Sequence, residues 1–240
     1  MVFMISIVIP AHNEEGNLER CIDEIKRVLG KVDYEIVIVD DNSTDRTGEI
    51  ADSLAGGRIR VIHRKPPRGF GRAIKDGLRA ARGDIIIPVM ADLSDDPKDI
   101  LKMVEKIEKG YDVVLGSRFI PGAEVDGYPP LKLIFGNRLF NNVFRILYFS
   151  KFKDITNAFK AYRRKVIESI DIEDDGFEIT AEIAIKAMIK GFKLEQVPVN
   201  WYGRKSGAPK MKFLKVSFGY GRVLFGLWPK YILSRIKGFL

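Results

Sequence analysis

Residues 5 to 40, ISIVIPAHNEEGNLERCIDEIKRVLGKVDYEIVIVD, place two runs of β-branched residues, ISIVIP and EIVIVD, on either side of a helix-length segment, EEGNLERCIDEIKRVL. A strand that reads as continuous Val and Ile, without polar alternation, is buried on both faces. Two such strands joined by a helical pattern describe a β-α-β unit. The pattern repeats outward through DRTGEIADSL, IRVIH, GFGRAIKDGLRAA, DIIIPVM and PKDILKMVEKIEKG to DVVLGSR. The expected fold is therefore α/β, with a mostly parallel central sheet flanked by helices. Ligands of such sheets bind at the carboxyl ends of the strands. Here those ends read PAHNEE, DDNSTD, HRKPPRGFG, MADLSDD and SRFIPGA, and all are polar.

Composition narrows the class. A hydrophobic fraction of 46% with 30% charged residues is that of a soluble globular chain. The single cysteine, Cys21, excludes an intrachain disulfide and a CxxC zinc site, and fits a reducing compartment. MVFMISIVIP lacks a basic leader region, so a signal peptide is not expected, and no apolar run reaches the ~18 residues of a membrane span. The net charge of +8 is local. No acidic residue follows Glu195, whereas Arg204, Lys205, Lys210, Lys212, Lys215, Arg222, Lys230, Arg235 and Lys237 do. A second acid-free window, Gly127 to Lys153, holds Lys132, Arg138, Arg145, Lys151 and Lys153. Nucleic acid is not expected as a partner, because the basic excess is interleaved with membrane-type aromatics and carries no nucleic-acid motif.

Both cationic segments are amphipathic. In LKLIFGNRLFNNVFRILYF, residues 131–149, helical spacing sets Arg138, Asn141, Asn142 and Arg145 opposite Leu139, Phe140, Val143, Phe144 and Leu147. The tail, 213–240, interleaves aromatic and basic residues and is expected to break at Gly219, Gly221 and Pro229. Helices with Lys and Arg on one face and Phe, Leu and Trp on the other lie in a bilayer interface. Padding of the core, with exposed Lys and Arg keeping the protein soluble, is the competing reading for both segments.

The strand-end motifs each have a plain alternative. Asn13 reads as a helix N-cap, and Ser94 or Asp95 before Pro97 reads as another. Asp40 and Asp41 suit hydrogen bonds to a base edge or ribose, with Asx-turn capping by Asn42 and Asp45 as the alternative. The glycines of RGFGRAIKDG suit a phosphate approach, though close packing is the commoner reason for them. His63 is expected to end a strand without a catalytic duty, Trp201, Tyr202 and Trp228 to pack, and Glu178 and Glu182 to face either a cleft or solvent.

In their order, IVIPAHNEEGNL, VDDNSTDRT, MADLS, VLGSRF, DITNAFKAYRR and NWYGRKSGAPKMK resemble the family-two glycosyltransferases of GT-A fold, the nucleotide-diphospho-sugar transferase fold, and most closely the dolichyl- or polyprenyl-phosphate sugar synthases. The resemblance covers nearly the whole chain. It implies that Pro10, Ala11, His12, Glu14, Val39, Asp41, Ala91 and Ser94 hold the nucleotide donor. It implies Arg118, Arg204 and Lys210 as phosphate ligands. It implies Mg²⁺ or Mn²⁺ on Asp92, with Ser94 at the outer position. Met90 stands where the family has a first aspartate, and a thioether is a poor ligand for a hard cation. Two outcomes follow: Asp92, Ser94 or Asp95, waters and donor oxygens complete an octahedron, or the chain binds a nucleotide sugar and has lost turnover.

The implied reaction is inverting transfer of mannose or glucose, from GDP-mannose or UDP-glucose, to a polyprenyl or dolichyl phosphate at the cytoplasmic membrane face. Asp92, Arg118, Arg204 and Lys210 are its candidate catalytic groups. Residues 1–211 form the expected catalytic domain, including the interface helix 131–149, and 212–240 a basic membrane-interface segment. The protein is expected to be cytoplasmic and peripheral on an anionic membrane surface, with a separate membrane-anchoring protein left open as a partner. A soluble saccharide acceptor and a nucleotide-sugar or lipid-binding protein without turnover are the alternatives.

Overall fold

The computed structural model describes residues 3–128, 137–203 and 213–237. Seven strands form one sheet in the order β3-β2-β1-β4-β7-β5-β8: β1 Ile5–Ala11, β2 Tyr34–Asp40, β3 Ile59–His63, β4 Ile85–Pro88, β5 Val113–Ser117, β7 Lys160–Arg163 and β8 Leu194–Pro198. β1 is parallel to β2 and β4, β2 to β3, and β5 to β8; only β7, between β4 and β5, runs antiparallel. The mostly parallel sheet expected from the Val/Ile runs is present. β6 Val125–Asp126 and β9 Trp201–Tyr202 make a separate two-stranded ribbon.

Side-chain alternation explains why these strands carry no polar period. Ile5, Ile7 and Ile9 of β1 point into one core with Ile36 and Ile38 of β2, beneath α1 Leu18–Leu29, α2 Thr47–Leu54 and α4 Asp99–Glu108. Val8, Val37 and Val39 point into the other, beneath α3 Phe70–Ala80, α5 Leu139–Leu147, α7 Ile179–Ile189 and α8 Phe213–Lys237. Each face thus meets a helical layer, and a polar side chain in either direction would be desolvated. The short α6, Arg164–Ser169, follows β7.

Three sequence readings of helices need correction. α1 begins at Leu18, with Asn17 as its N-cap residue, so Asn13 does not cap it. α4 begins at Asp99, so neither Ser94 nor Asp95 caps it; Asp96 accepts the Lys98 N–H at 3.0 Å instead. α8 runs through Gly219, Gly221 and Pro229 without a break. Propensity alone disfavours that, by ~1 kcal/mol per Gly and ~3 kcal/mol for Pro. Burial of Tyr220, Val223, Leu224 and Tyr231 in the second core outweighs it. At Gly219 a Cβ would lie 2.6 Å from the Glu178 carboxyl carbon, so a side chain there requires that flexible carboxylate to swing aside.

The tightest helix-to-sheet approach is at Gly77 of α3, where a Cβ would fall 2.2 Å from Val8 Cγ1 and 3.1 Å from Val39 Cγ2. Both valines are buried strand residues, so α3 must move away from the sheet to admit a methyl group. Gly77→Ala is expected to destabilise the protein by about 1–3 kcal/mol despite the better helix propensity of Ala, read as a lowered denaturant midpoint at unchanged m-value.

Candidate active site

The loops after β1 and β2 clasp each other. Both turn through a left-handed residue, Asn13 at φ 51° and Asn42 at φ 53°, a conformation that asparagine tolerates better than most residues. Asn13 Oδ1 accepts the Thr44 N–H at 2.8 Å, the Ser43 hydroxyl accepts the Asn13 N–H at 3.1 Å, and Thr47 Oγ1 accepts the Glu14 N–H at 2.7 Å. The polar run NSTDRT therefore serves to hold one strand end to the next. Of the implied nucleotide ligands, Pro10 and Ala11 end β1, and Val39 faces the core, so Val39 offers the site only its backbone. Glu14 is buried and accepts from Asn17 Nδ2 at 2.7 Å.

Asp40 and Asp41 have distinct partners. Asp40 accepts the Ser43 N–H at 3.1 Å and faces His63 Nδ1 at 3.0 Å, while His63 Nε2 faces Asp52 at 2.9 Å. Hydrogen bonds to Asp40 and then to Asp52 raise the His63 pKa. Asp41, also buried, pairs with Arg64 and accepts the Gly69 N–H at 2.8 Å. His12 sits against it, with Nδ1 3.1 Å from the Asp41 carbonyl and Nε2 3.0 Å from Arg68 Nη1. A guanidinium only donates, so Nε2 accepts and Nδ1–H donates to the carbonyl. Gly71 packs against protein: its N–H donates to Asp175 O at 3.0 Å and a Cβ would fall 2.5 Å from the Asp175 carbonyl carbon. The RGFG glycines thus serve close packing at this helix entry, the commoner of their two readings.

After β4 the chain turns at Leu93, with φ 54°. Asp92 Oδ1 accepts the Ser94 N–H at 3.0 Å, and Ser94 is itself buried, with its carbonyl taken by the Tyr202 N–H at 2.8 Å. Ala91 is buried in the first core. Asp95 is buried, 3.4 Å from Asn157 Nδ2; burial pushes its pKa up to about 7, Arg118 opposes that, and the Asp92 charge adds to it. Among the described residues no group of three His, Cys, Asp or Glu side chains could hold a metal. The donor set is one partly exposed carboxylate, Asp92, with Asp95 behind it. That fits a hard cation such as Mg²⁺, which keeps several waters and takes one or two carboxylates plus substrate phosphate oxygens.

Arg118, one residue beyond β5, is buried in a bidentate pair with Asp154: Nε to Oδ2 is 2.7 Å and Nη2 to Oδ1 is 2.9 Å, and the Arg118 N–H adds a third bond at 3.1 Å. Burial alone would raise the Asp154 pKa, but the Arg118 charge and hydrogen bonds hold it below the usual carboxylate range. The charge of Asp154 likewise overcomes burial to raise the Arg118 pKa. Behind the pair, Lys160 is fully buried, donating to Ile155 O at 3.0 Å and to Asn157 O, and burial pushes its pKa down to about 7. In front of it opens a cleft of about 830 Å³ whose lining includes Arg118, Tyr128, Arg138, Asn142, Arg145 and Lys153. Among the described residues that line it there is no carboxylate. Arg204 and Lys210 lie outside the described residues.

The α5 helix differs from its sequence reading. Asn141 was grouped with the basic residues on a polar face, yet it is 2% exposed on the inward face with Phe144 and Tyr148. The outward face carries Leu139, Asn142, Ile146 at 74% and Phe149 at 83% exposure. On α8, Phe218, Phe225, Trp228, Leu233 and Ile236 are also exposed. The two helices are joined by Tyr148 Oη to Leu224 O at 2.7 Å, Tyr231 Oη to Tyr148 O at 2.8 Å and Trp228 Nε1 to Leu147 O at 2.9 Å. No described helix is long and apolar enough to cross a membrane. Glu182 is buried, accepting the N–H groups of Glu173 and Asp174 at 2.8 and 2.9 Å, so it faces neither solvent nor a cleft.

Sequence reasoning missed Asp95–Asn157, Lys160 and the inward turn of Asn141. The sequence phrase DITNAFKAYRR contains Asp154 but carries no sign of its partner. A lone Lys within the apolar run NAFKAY was the one available signal for Lys160.

Residues 6–171 match the family model for glycosyl transferase family 2. A dolichol-phosphate mannosyltransferase of Pyrococcus furiosus is 35% identical over 225 residues, covering 93% of this chain and 63% of that protein. A polyprenol monophosphomannose synthase of Mycolicibacterium smegmatis is 31% identical over 214 residues, covering 85% of this chain and 80% of that protein. Among solved structures, glucosyl-3-phosphoglycerate synthase from Mycobacterium tuberculosis, crystallised with Mn²⁺, UDP and glucosyl-3-phosphoglycerate, superposes with a TM-score of 0.70 at 20% identity, over 95% of this chain and 80% of that one. With strand order, strand-end loops and family match in agreement, the chain has the GT-A fold and belongs to glycosyl transferase family 2.

Proposed function

We propose that the chain transfers a hexose, mannose or glucose, from a nucleotide-diphosphate sugar to a polyprenyl or dolichyl phosphate at the cytoplasmic face of a membrane. One observation carries the reading: Asn157 Nδ2 lies 3.4 Å from Asp95, three residues from Asp92 on the loop implied for the donor, and the same 154–157 loop holds Arg118, on the cleft wall, through Asp154. This contact supports adjoining sites for a nucleotide and for an anion. The named activities of the Pyrococcus and Mycolicibacterium relatives support this acceptor class.

A phosphate monoester, with its second pKa near 6, is already a nucleophile at neutral pH, so no strong general base is required. Its oxygen attacks the anomeric carbon, the bond from that carbon to the diphosphate oxygen breaks, and the leaving nucleoside diphosphate takes the electron pair, with inversion. The protein's task is to bring two anions together. The Arg118–Asp154 pair is neutral as a unit, so it orients a guanidinium rather than adding net charge. Arg138, Arg145 and Lys153 supply the positive potential of the cleft. Asp92 would hold Mg²⁺ or Mn²⁺, with Ser94 beside it, and the ion would polarise the leaving diphosphate. Arg204 and Lys210 are assigned to phosphate binding on the resemblance alone. Leu139 and Ile146 of α5, Phe149 just beyond it, and Phe218, Phe225 and Trp228 of α8 would enter the bilayer interface, while Arg138 and Arg145 meet anionic headgroups.

The decisive assay offers GDP-mannose and UDP-glucose, each with polyprenyl phosphate and Mg²⁺ or Mn²⁺, and reads sugar-labelled lipid. Asp92→Ala is expected to lose roughly a hundredfold or more in kcat; metal-dependent transfer unchanged by that substitution overturns the metal assignment, and lipid left unlabelled by both donors overturns the reading. Asp154→Asn leaves a buried guanidinium without its counter-charge. It is expected to cost about 3–5 kcal/mol of stability, measured by chemical denaturation. In flotation with anionic vesicles the wild type should rise at low salt and less so at 1 M salt. Ile146→Ser with Phe149→Ser should remain in the lower fractions even at low salt, and equal flotation of the two proteins would remove α5 from the interface.

A further inference from the structure

The short loop Asp154–Asn157 joins Arg118 to both lipid-facing helices. From α5, Asn141 Oδ1 accepts the Ile155 N–H at 2.7 Å, and Asn141 Nδ2 lies 3.3 Å from Thr156 Oγ1. From α8, the Tyr220 hydroxyl lies 3.2 Å from Thr156 O and 3.0 Å from Phe177 O, sharing its one proton between them. Thr156 Oγ1 in turn donates to Asp154 Oδ1 at 3.0 Å and lies 3.4 Å from Arg118 Nη2. Both helix side chains are buried, Asn141 at 2% exposure on the wall of the cleft and Tyr220 at 9%, not among the residues lining it.

We infer that Asn141 and Tyr220 are positioning residues for acceptor binding: through the 154–157 loop they set the orientation of the Arg118 guanidinium, and so transmit the seating of α5 and α8 to the phosphate site. The inference rests on reading Arg118 as a ligand of the acceptor phosphate. Packing alone does not call for these two polar groups. Phe144 and Tyr148 already seat α5, and Tyr148, Trp228 and Tyr231 join α5 to α8 without touching the loop. A buried amide costs several kcal/mol unless it is bonded, and Asn141 directs its acceptor to this one backbone N–H. Tyr231 supplies an internal control: a buried α8 hydroxyl, bonded to an α5 carbonyl, with no link to the 154–157 loop.

The test is calorimetric binding of farnesyl phosphate, and separately of GDP and UDP with Mg²⁺, to wild type, Tyr220→Phe, Asn141→Leu and Tyr231→Phe, with melting temperatures alongside. Tyr220→Phe is expected to weaken farnesyl phosphate roughly three- to tenfold, the equivalent of one hydrogen bond, and Asn141→Leu by more, with nucleotide affinity unchanged. Tyr231→Phe is expected to lower the melting temperature to a similar degree and to leave both affinities alone. The inference falls if Tyr220→Phe binds farnesyl phosphate like wild type or like Tyr231→Phe, if nucleotide binding weakens in parallel, or if wild type does not bind farnesyl phosphate. Tyr220→Phe keeps its ring against Phe140 (centroids 4.9 Å apart), so the test stands should Asn141→Leu fail to fold. Absence of sugar transfer with this affinity pattern intact would sink the proposed reaction and leave the positioning role; transfer with a flat pattern would sink the positioning role alone.

Discussion

The buried pair of Arg118 and Asp154 is the constraint around which the candidate site is built. Two ions out of water are tolerated only when their hydrogen bonds are nearly complete, and here the backbone N–H of Arg118 and the hydroxyl of Thr156 complete them. The pair pins the end of β5 to the loop before β7, and β7 is the one strand that runs against the rest of the sheet. A guanidinium held in this way has a fixed direction. Its net charge is cancelled, so the positive potential of the cleft comes from Arg138, Arg145 and Lys153, with no carboxylate among the other described residues lining it.

In the loops after β1, β2 and β4 the organising force is backbone satisfaction. A sheet whose strands end together leaves a row of loops whose N–H and C=O groups need partners. The run from Asn42 to Thr47 supplies short polar side chains that reach back to Asn13, Glu14 and Glu15. Asp41 extends the same logic to Arg64 and Gly69, tying the loop after β3 to the end of β2. The result is a rim of loops fixed to one another, with His12 and Asp92 partly exposed along it and Asp41 buried beneath.

Helices α5 and α8 show how a polar residue in an amphipathic helix can mislead. Helical spacing put Asn141 with Arg138 and Arg145, yet a helix with Phe144 and Tyr148 inward carries position 141 inward too. The apolar residues left outside, Ile146 and Phe149, then join Phe218 and Phe225 of α8 as surface that water solvates poorly. Exposed charge and exposed apolar side chains therefore adjoin on α5, Arg145 next to Ile146.

Much of the architecture was legible in the chain itself. The two-sided Val/Ile runs, their helical spacers and the polar strand ends determine a mostly parallel sheet with its functional loops at one edge, because local periodicity and burial act over a few residues at a time. The order of the motifs identified the family. What only the tertiary structure decided lies in contacts between distant segments: Arg118 with Asp154, Asp95 with Asn157, Asn141 and Tyr220 on one loop, and an unbroken α8 across two glycines and a proline. Each of these depends on where a side chain is taken out of water. That is a property of the assembled layers, and no short window of sequence contains it.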